Sequence, residues 1–216
     1  MTDPTGTNRG WISVLVAVLF VITVSGVFAW AMRDDLVQNP DTKTVLLAEN
    51  FGHSSEFGAD AGGSRWTTAT GEWGVDTGKA IVTGTNDPDP SIVVTTAPNI
   101  GTIGATIGGE AKCGIVVRYH SPSDYVALHR EPEYGVWNLI AVTEAGSRFL
   151  GNLPDSPLMD VHAELTSGRR IVEASVLGES LTVVLDEVGG DSSMGLIGID
   201  DVTSCTWDDV TIASLP

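Results

Sequence analysis

From Val45 to Pro216 the apolar residues never hold a helical period. They fall in short runs rich in Val, Ile and Thr, cut by turn sequences such as "SPSD", "EAG", "TSG" and "LGE". β-Branched side chains fit a pleated surface, whereas Gly, Pro, Asp and Ser supply the torsions and local hydrogen bonds of tight turns. Many short strands at a spacing of roughly 8–12 residues predict an all-β sandwich. The first runs read as strands are "VLLAENF", "EWGVD", "AIVTG", "SIVVTTA", "GTIGATIG", "CGIVVRYH" and "DYVALHRE". They continue with "VWNLIAVTE", "SRFLGNL", "VHAELTS", "RIVEASVLG", "SLTVVLDEV", "MGLIGID" and "CTWDDVTIA". "GIVV" and "NLIAV" are apolar on both sides and suit central strands. "GHSSEFGADAGGSRWTTATG" is the longest irregular piece, and long loops often carry binding residues.

One segment breaks this pattern. "WISVLVAVLFVITVSGVFAWAM", Trp11 to Met32, is apolar and uncharged. Its length of about 22 residues lets a helix cross a hydrocarbon core of about 30 Å. Trp11 and Trp30 stand near its ends, where amphipathic rings prefer the membrane interface. A cleaved signal peptide is the other reading, because "AWA" at Ala29–Ala31 fits a small-residue cleavage site. The run exceeds the usual signal-peptide core, which favours a retained anchor. Arg9 and the α-amino group argue for a cytoplasmic N-terminus, with Arg33 opposing them. The expected organisation is a cytoplasmic tail (1–10), a transmembrane anchor (11–32), a stalk (33–44) and an extracytoplasmic β-sandwich (45–216).

The net charge of −17, with only 11 Lys plus Arg, leaves no basic patch to neutralise phosphates and argues against nucleic-acid binding. Cys113 and Cys205 are the only cysteines. In an exported β domain they read as one disulfide. It would close a loop of about 90 residues and contribute about 4 kcal/mol in the chain-entropy model. Two unpaired core thiols are the alternative. The close pairing of zinc motifs is missing.

The order of segments resembles the concanavalin A-like lectin/glucanase superfamily, in particular its LamG-like and keto-disaccharide-hydrolase-like jelly rolls, over about residues 46–213. "GIVVRYHSPSDYVAL" is similar to that superfamily's Arg-bearing strand, turn and Tyr-bearing strand. "RRIVEASVLGESLTVVLDEV" is similar to its hairpin around a small turn, and "GLIGI" with "CTWDDVTI" to its closing strands. The resemblance implies a jelly-roll β-sandwich whose concave face and rim loops bind sugars or partner proteins. It makes the hairpin Lys112–Glu131 a candidate rim. Arg118, His129, Glu131, Tyr134 and Trp137 are the candidate ligand contacts, and an Arg–Glu network capping a sheet is the alternative for the hairpin's charges. The resemblance also implies a calcium ion held by loop oxygens. "TNDPDPS" (Asp87, Asp89) and "IDDVTS" (Asp200, Asp201) are the best clusters of hard ligands, although acidic solvated turns look the same.

Catalytic chemistry finds little support in the residues. Glycoside hydrolysis needs two carboxylates about 5–9 Å apart across a scissile bond. Glu131 and Glu133 come nearest to the superfamily's strand motif, but Pro132 interrupts them. Asp186, Glu187 and Asp191 lack the alternation. No G-x-S-x-G is present. His120 and His129 could meet across the "SPSD" hairpin as metal ligands, or be solvated. Trp73 and Trp207 read as core; Trp66, Trp137 and Tyr134 are the rings best placed for exposure, although a core or loop-anchoring role is the favoured reading for each.

The expectation is a bacterial single-pass membrane protein that displays a non-catalytic recognition module, binding glycan or cell-envelope polymer. An accessory subunit of a membrane protein complex is the second reading. Ser13, Ala17, Thr23, Ser25, Gly26 and Ala29 would let its helix pack closely against others. An envelope glycoside hydrolase is the third.

Overall fold

Burial alternates residue by residue along Val136–Thr143 and through most of Asp160–Ser167. Successive side chains of a strand point to opposite faces, so each of these strands turns one face to a core. The computed structural model describes residues 43–52, 66–84, 90–98, 100–156, 160–185, 192–200 and 202–215. The expected anchor at 11–32, the tail before it and the stalk as far as residue 42 lie outside the described residues. Among the described residues no helix is long and apolar enough to cross a membrane.

The first strands are β1 (Thr44–Glu49), β2 (Trp66–Thr70), β3 (Glu72–Asp76), β4 (Lys79–Gly84) and β5 (Ser91–Ala97). Next come β6 (Gly101–Gly108), β7 (Lys112–Ser121), β8 (Asp124–Glu131), β9 (Val136–Thr143) and β10 (Gly146–Pro154). The chain continues with β11 (Asp160–Ser167), β12 (Ile171–Val176), β13 (Glu179–Val184), β14 (Ser192–Ile199) and β15 (Thr206–Ser214). They form an eight-stranded sheet in the order β13-β12-β11-β6-β15-β4-β3, with β1 also paired to β15, and a seven-stranded sheet in the order β10-β9-β8-β7-β14-β5-β2. The pairings are antiparallel. β2 was not expected. Trp66–Thr70 reads as part of the Gly-rich irregular stretch, yet it pairs with β5 at the sheet edge.

The core lies between the two sheets. Ile103, Ile107, Leu165 and Trp207 of the larger sheet meet Ile115, Leu128, Leu139 and Leu196 of the smaller one. Each buried aliphatic side chain contributes about 1.5–3 kcal/mol. Cys113 and Cys205 form a disulfide, with Cα atoms 5.6 Å apart, tying the start of β7 to the residue before β15. Trp207 reaches across from the larger sheet and donates its indole N–H to Gly114 O at 2.8 Å. Gly114 has no room for a side chain, because a Cβ there would strike the Leu128 carbonyl. Trp73 packs on Trp207 with ring centroids 5.0 Å apart.

A second apolar cluster occupies the opposite, outward face of the smaller sheet. Ile92, Val94, Val116, Tyr125, Ala127 and Ile197 are all buried there. This accounts for the runs "SIVV" and "GIVV", whose consecutive apolar residues serve both faces of central strands.

Candidate functional site

The accessible part of that outward face is its β8–β9–β10 margin. Paired residues of neighbouring antiparallel strands share a face. The register sets His129, Asn138 and Asn152 in one row, and Ala127, Ile140 and Phe149 in the next. Glu131, Val136 and Pro154 form the row on the other side of His129. Phe149 is 61% exposed, Asn152 is exposed, and Asn138 and Ile140 are half-buried. A bulge between Phe149 and Gly151 lets this happen. The extra residue, Leu150, packs against the core while Phe149 stays outside with Ile140. An aromatic face beside two amides can stack on a ring and hydrogen-bond its hydroxyls. Sequence reasoning missed Phe149, Asn138 and Asn152. The available signal was the glycine of "RFLGN", since a glycine inside a strand often marks a bulge.

At the end of this face, Lys112 links two carboxylates. Its Nζ lies 3.4 Å from Glu131 Oε1 and 2.8 Å from Asp200 Oδ2. These contacts, led by the hydrogen bond to Asp200, raise the Lys112 pKa from its ordinary value against the opposing effect of burial. The triad sits in a cleft of about 470 Å³ whose walls include Glu110, Glu133 and Ser204. His129, one row further in, is buried and donates Nδ1–H to Arg130 O at 3.2 Å. Burial is the main cause holding its pKa below the ordinary value, so the ring is neutral at pH 7.

Two expected contacts are structural instead. Trp137 is fully buried, and its indole N–H donates to Asp155 Oδ1 at 2.9 Å. Strand alternation turns it inward, so it cannot serve as a sugar platform. Asp155 also accepts from Arg130 Nε at 2.7 Å, and Arg130 donates to Gly109 O and Ser156 O. Arg118 is buried as well. It adopts a left-handed backbone conformation (φ 53°) inside a bulge of β7, which aims its side chain toward the larger sheet. There it donates to Ser167 Oγ, Gly168 O and Ile171 O at 3.0, 2.7 and 3.2 Å. Arg118 also lies at the turn end of the β7–β8 hairpin, away from His129 and Glu131. The five expected contacts therefore do not converge. His129 and Glu131 share a face, Tyr134 is 71% exposed on the adjoining turn, and Arg118 and Trp137 are internal.

The remaining expectations resolve as follows. His120 and His129 do not meet, because His120 pairs with Asp124 at 3.6 Å beside the turn. Trp66 is buried, which agrees with the core or loop-anchoring role favoured for it. Asp87, Asp89 and Asp201 lie outside the described residues, as do Asp186, Glu187 and Asp191. Asp200 is engaged with Lys112. Among the described residues no group of three or more His, Cys, Asp or Glu could hold a metal ion.

No protein-family model matches this chain, and no curated protein does. Solved structures do match. The carbohydrate-binding module CBM66 of Bacillus subtilis aligns with a TM-score of 0.56 at 12% identity, covering 69% of this chain and 96% of that one. A β-glucanase of Bacillus licheniformis aligns with a TM-score of 0.55 at 10% identity, covering 81% of this chain and all (100%) of that one. A xylan β-1,4-xylosidase of Bacillus halodurans C-125 aligns with a TM-score of 0.56 at 13% identity, over 74% of this chain but only 38% of the enzyme. At such identities the likeness is one of fold. It supports the jelly-roll β-sandwich fold that the order of segments implied.

Proposed function

We propose that this protein is a non-catalytic glycan-binding module, held outside the bacterial cytoplasmic membrane by residues 11–32. The binding surface is the β8–β10 margin of the smaller sheet. The observation that carries this reading is Phe149. It is a large aromatic ring, 61% exposed, flanked on its own face by the amides of Asn138 and Asn152. Exposed rings set beside planar polar groups suit pyranose recognition, because the ring stacks on C–H faces while amides bond hydroxyls. The fold shared with a carbohydrate-binding module agrees with this reading. The nearby carboxylates Glu131 and Asp200 share one ammonium, an arrangement that holds an ion triad in place.

The test is binding of the detergent-solubilised full chain to a panel of neutral, acidic and amine-bearing oligosaccharides by calorimetry. Phe149→Ala weakens binding about tenfold or more, the loss of a central aromatic contact. The same change leaves the melting temperature within about 2 °C, because an exposed position away from the core costs little. Unchanged affinity in Phe149→Ala, or no binding across the panel, refutes the reading.

A further inference from the structure

We infer that the free edge of β13 is a self-association surface, on which a second copy of this chain pairs its own β13 antiparallel about a two-fold axis at Thr182. The inference goes beyond the glycan-binding reading and does not rest on it.

Among the described residues, β1, β2, β3, β10 and β13 each pair with a single neighbour and so present an edge. An open edge offers a row of N–H and C=O groups to another strand, and bulges, prolines and charges are the usual ways of blunting it. The ladders of β1, β2, β3 and β10 each shift register, at Val45/Leu47, Thr68/Thr70, Glu72/Trp73 and Phe149/Gly151. β13 pairs with β12 over its six residues without a shift. It holds no proline and no lysine, and its one charge, Glu179, stands at its first position.

The β12–β13 turn fixes which backbone groups are free. Leu177 and Gly178 both have positive φ, 54° and 84°, the torsions of a two-residue type I′ hairpin turn. Such a turn makes Val176 and Glu179 a hydrogen-bonded pair. The alternation of an antiparallel ladder then does the same for Ala174 with Leu181 and Val172 with Val183. Ser180, Thr182 and Val184 therefore turn N–H and C=O away from β12. All three are exposed, and no residue of β13 hydrogen-bonds outside the ladder. β10 approaches from the other sheet, with Gly151 against Leu181, but it pairs with β9 and leaves this edge open.

Self-complementarity selects the occupant. Pairing about Thr182 sets Thr182 against its own counterpart and Ser180 against Val184. Each such pair exchanges two bonds, about six across the interface. Leu181 lies opposite Val183 on the core side, where both are half-buried, so a second copy completes their burial. Residues 180–184 are uncharged, and no like charges meet. The contact is one strand wide, which makes the dimer reversible.

Sedimentation equilibrium of the full chain in density-matched detergent measures the association. The wild type dimerises with a Kd of about 10–100 µM. Added salt tightens the dimer by screening the net charge of −17 on each copy. Thr182→Lys sets like charges across the axis and weakens the dimer about tenfold or more, while the melting temperature stays within about 2 °C. Thr182→Cys forms an intermolecular disulfide under mild oxidation, because Cα atoms paired across the axis lie about 5.5 Å apart. Glu179→Cys, about 20 Å from its counterpart, forms none. A wild-type chain still monomeric at about 0.5 mM overturns the inference. A dimer that Thr182→Lys leaves intact also overturns it, since the contact then lies elsewhere, as does equal cross-linking at the two cysteine positions.

Discussion

Asp155 offers the sharpest test of how the sandwich end beneath the candidate site is built. Its two carboxylate oxygens accept from Arg130 Nε at 2.7 Å and Trp137 Nε1 at 2.9 Å. The Arg130 and Asp155 side chains are only 10% and 7% exposed, so solvent screens the pair little. Asp155→Ala strands a buried guanidinium, which costs about 3–5 kcal/mol when one partner of a buried pair is removed. It also leaves the buried indole N–H without its acceptor, worth about 1–3 kcal/mol. Arg130 keeps Gly109 O and Ser156 O, which moves the first cost to its lower end. A net loss of about 4 kcal/mol follows. For a domain of this size that lowers the melting temperature by about 8–16 °C. Guanidinium unfolding followed by far-ultraviolet circular dichroism measures the loss. Asp155→Asn keeps an acceptor but not the charge and falls between the two. Arg130→Met/Asp155→Leu removes both charges and is milder than Asp155→Ala alone. A loss below about 1 kcal/mol for Asp155→Ala, or a double variant costing the sum of its singles, refutes the argument.

Two further outcomes follow from the core and the outward face. Cys113→Ala/Cys205→Ala lowers stability by about 4–5 kcal/mol in the chain-entropy model, given the 92-residue separation. Non-reducing thiol titration of the unfolded wild-type protein finds no free thiol, and a stoichiometric pair of thiols sinks the bridge. The lowered pKa of His129 couples stability to acid. Since the unfolded chain takes up this proton first, stability is full above about pH 6.5 and falls as pH drops below it, until the lowered folded-state pKa is passed. Glu131, Lys112 and Asp200 are the charged groups acting on the ring. His129→Gln flattens this part of the curve, and superimposable stability–pH curves for the two proteins contradict the assignment.

Phe149 and Trp137 show how far linear reasoning reached toward the candidate site. Trp137 stands after a turn, "EPEYG", where an aromatic looks exposed. Its partner Leu153 lies inside, and the ladder turns Trp137 the same way. Phe149 stands beside Leu150, and two adjacent apolar residues give no face assignment on their own. The bulge splits them, Leu150 inward and Phe149 outward. Arg118 illustrates the same gap, because one left-handed residue moved a charge from an apparent rim into the space between the sheets.

Local chemistry determined which runs became strands, since β-branched residues and turn residues act within a few positions of each other. It also favoured pairing of the two cysteines over free thiols and marked the double-sided central strands, because both readings need only the cysteine count and local runs of apolar residues. Only the tertiary structure decided which strands adjoin and where bulges fall, and hence which side chains share a surface. Lys112, Glu131 and Asp200 come from three different strands or their ends. Their approach depends on the pairing of β7 with β8 and with β14, a long-range choice fixed by burial of whole sheets rather than by any local signal.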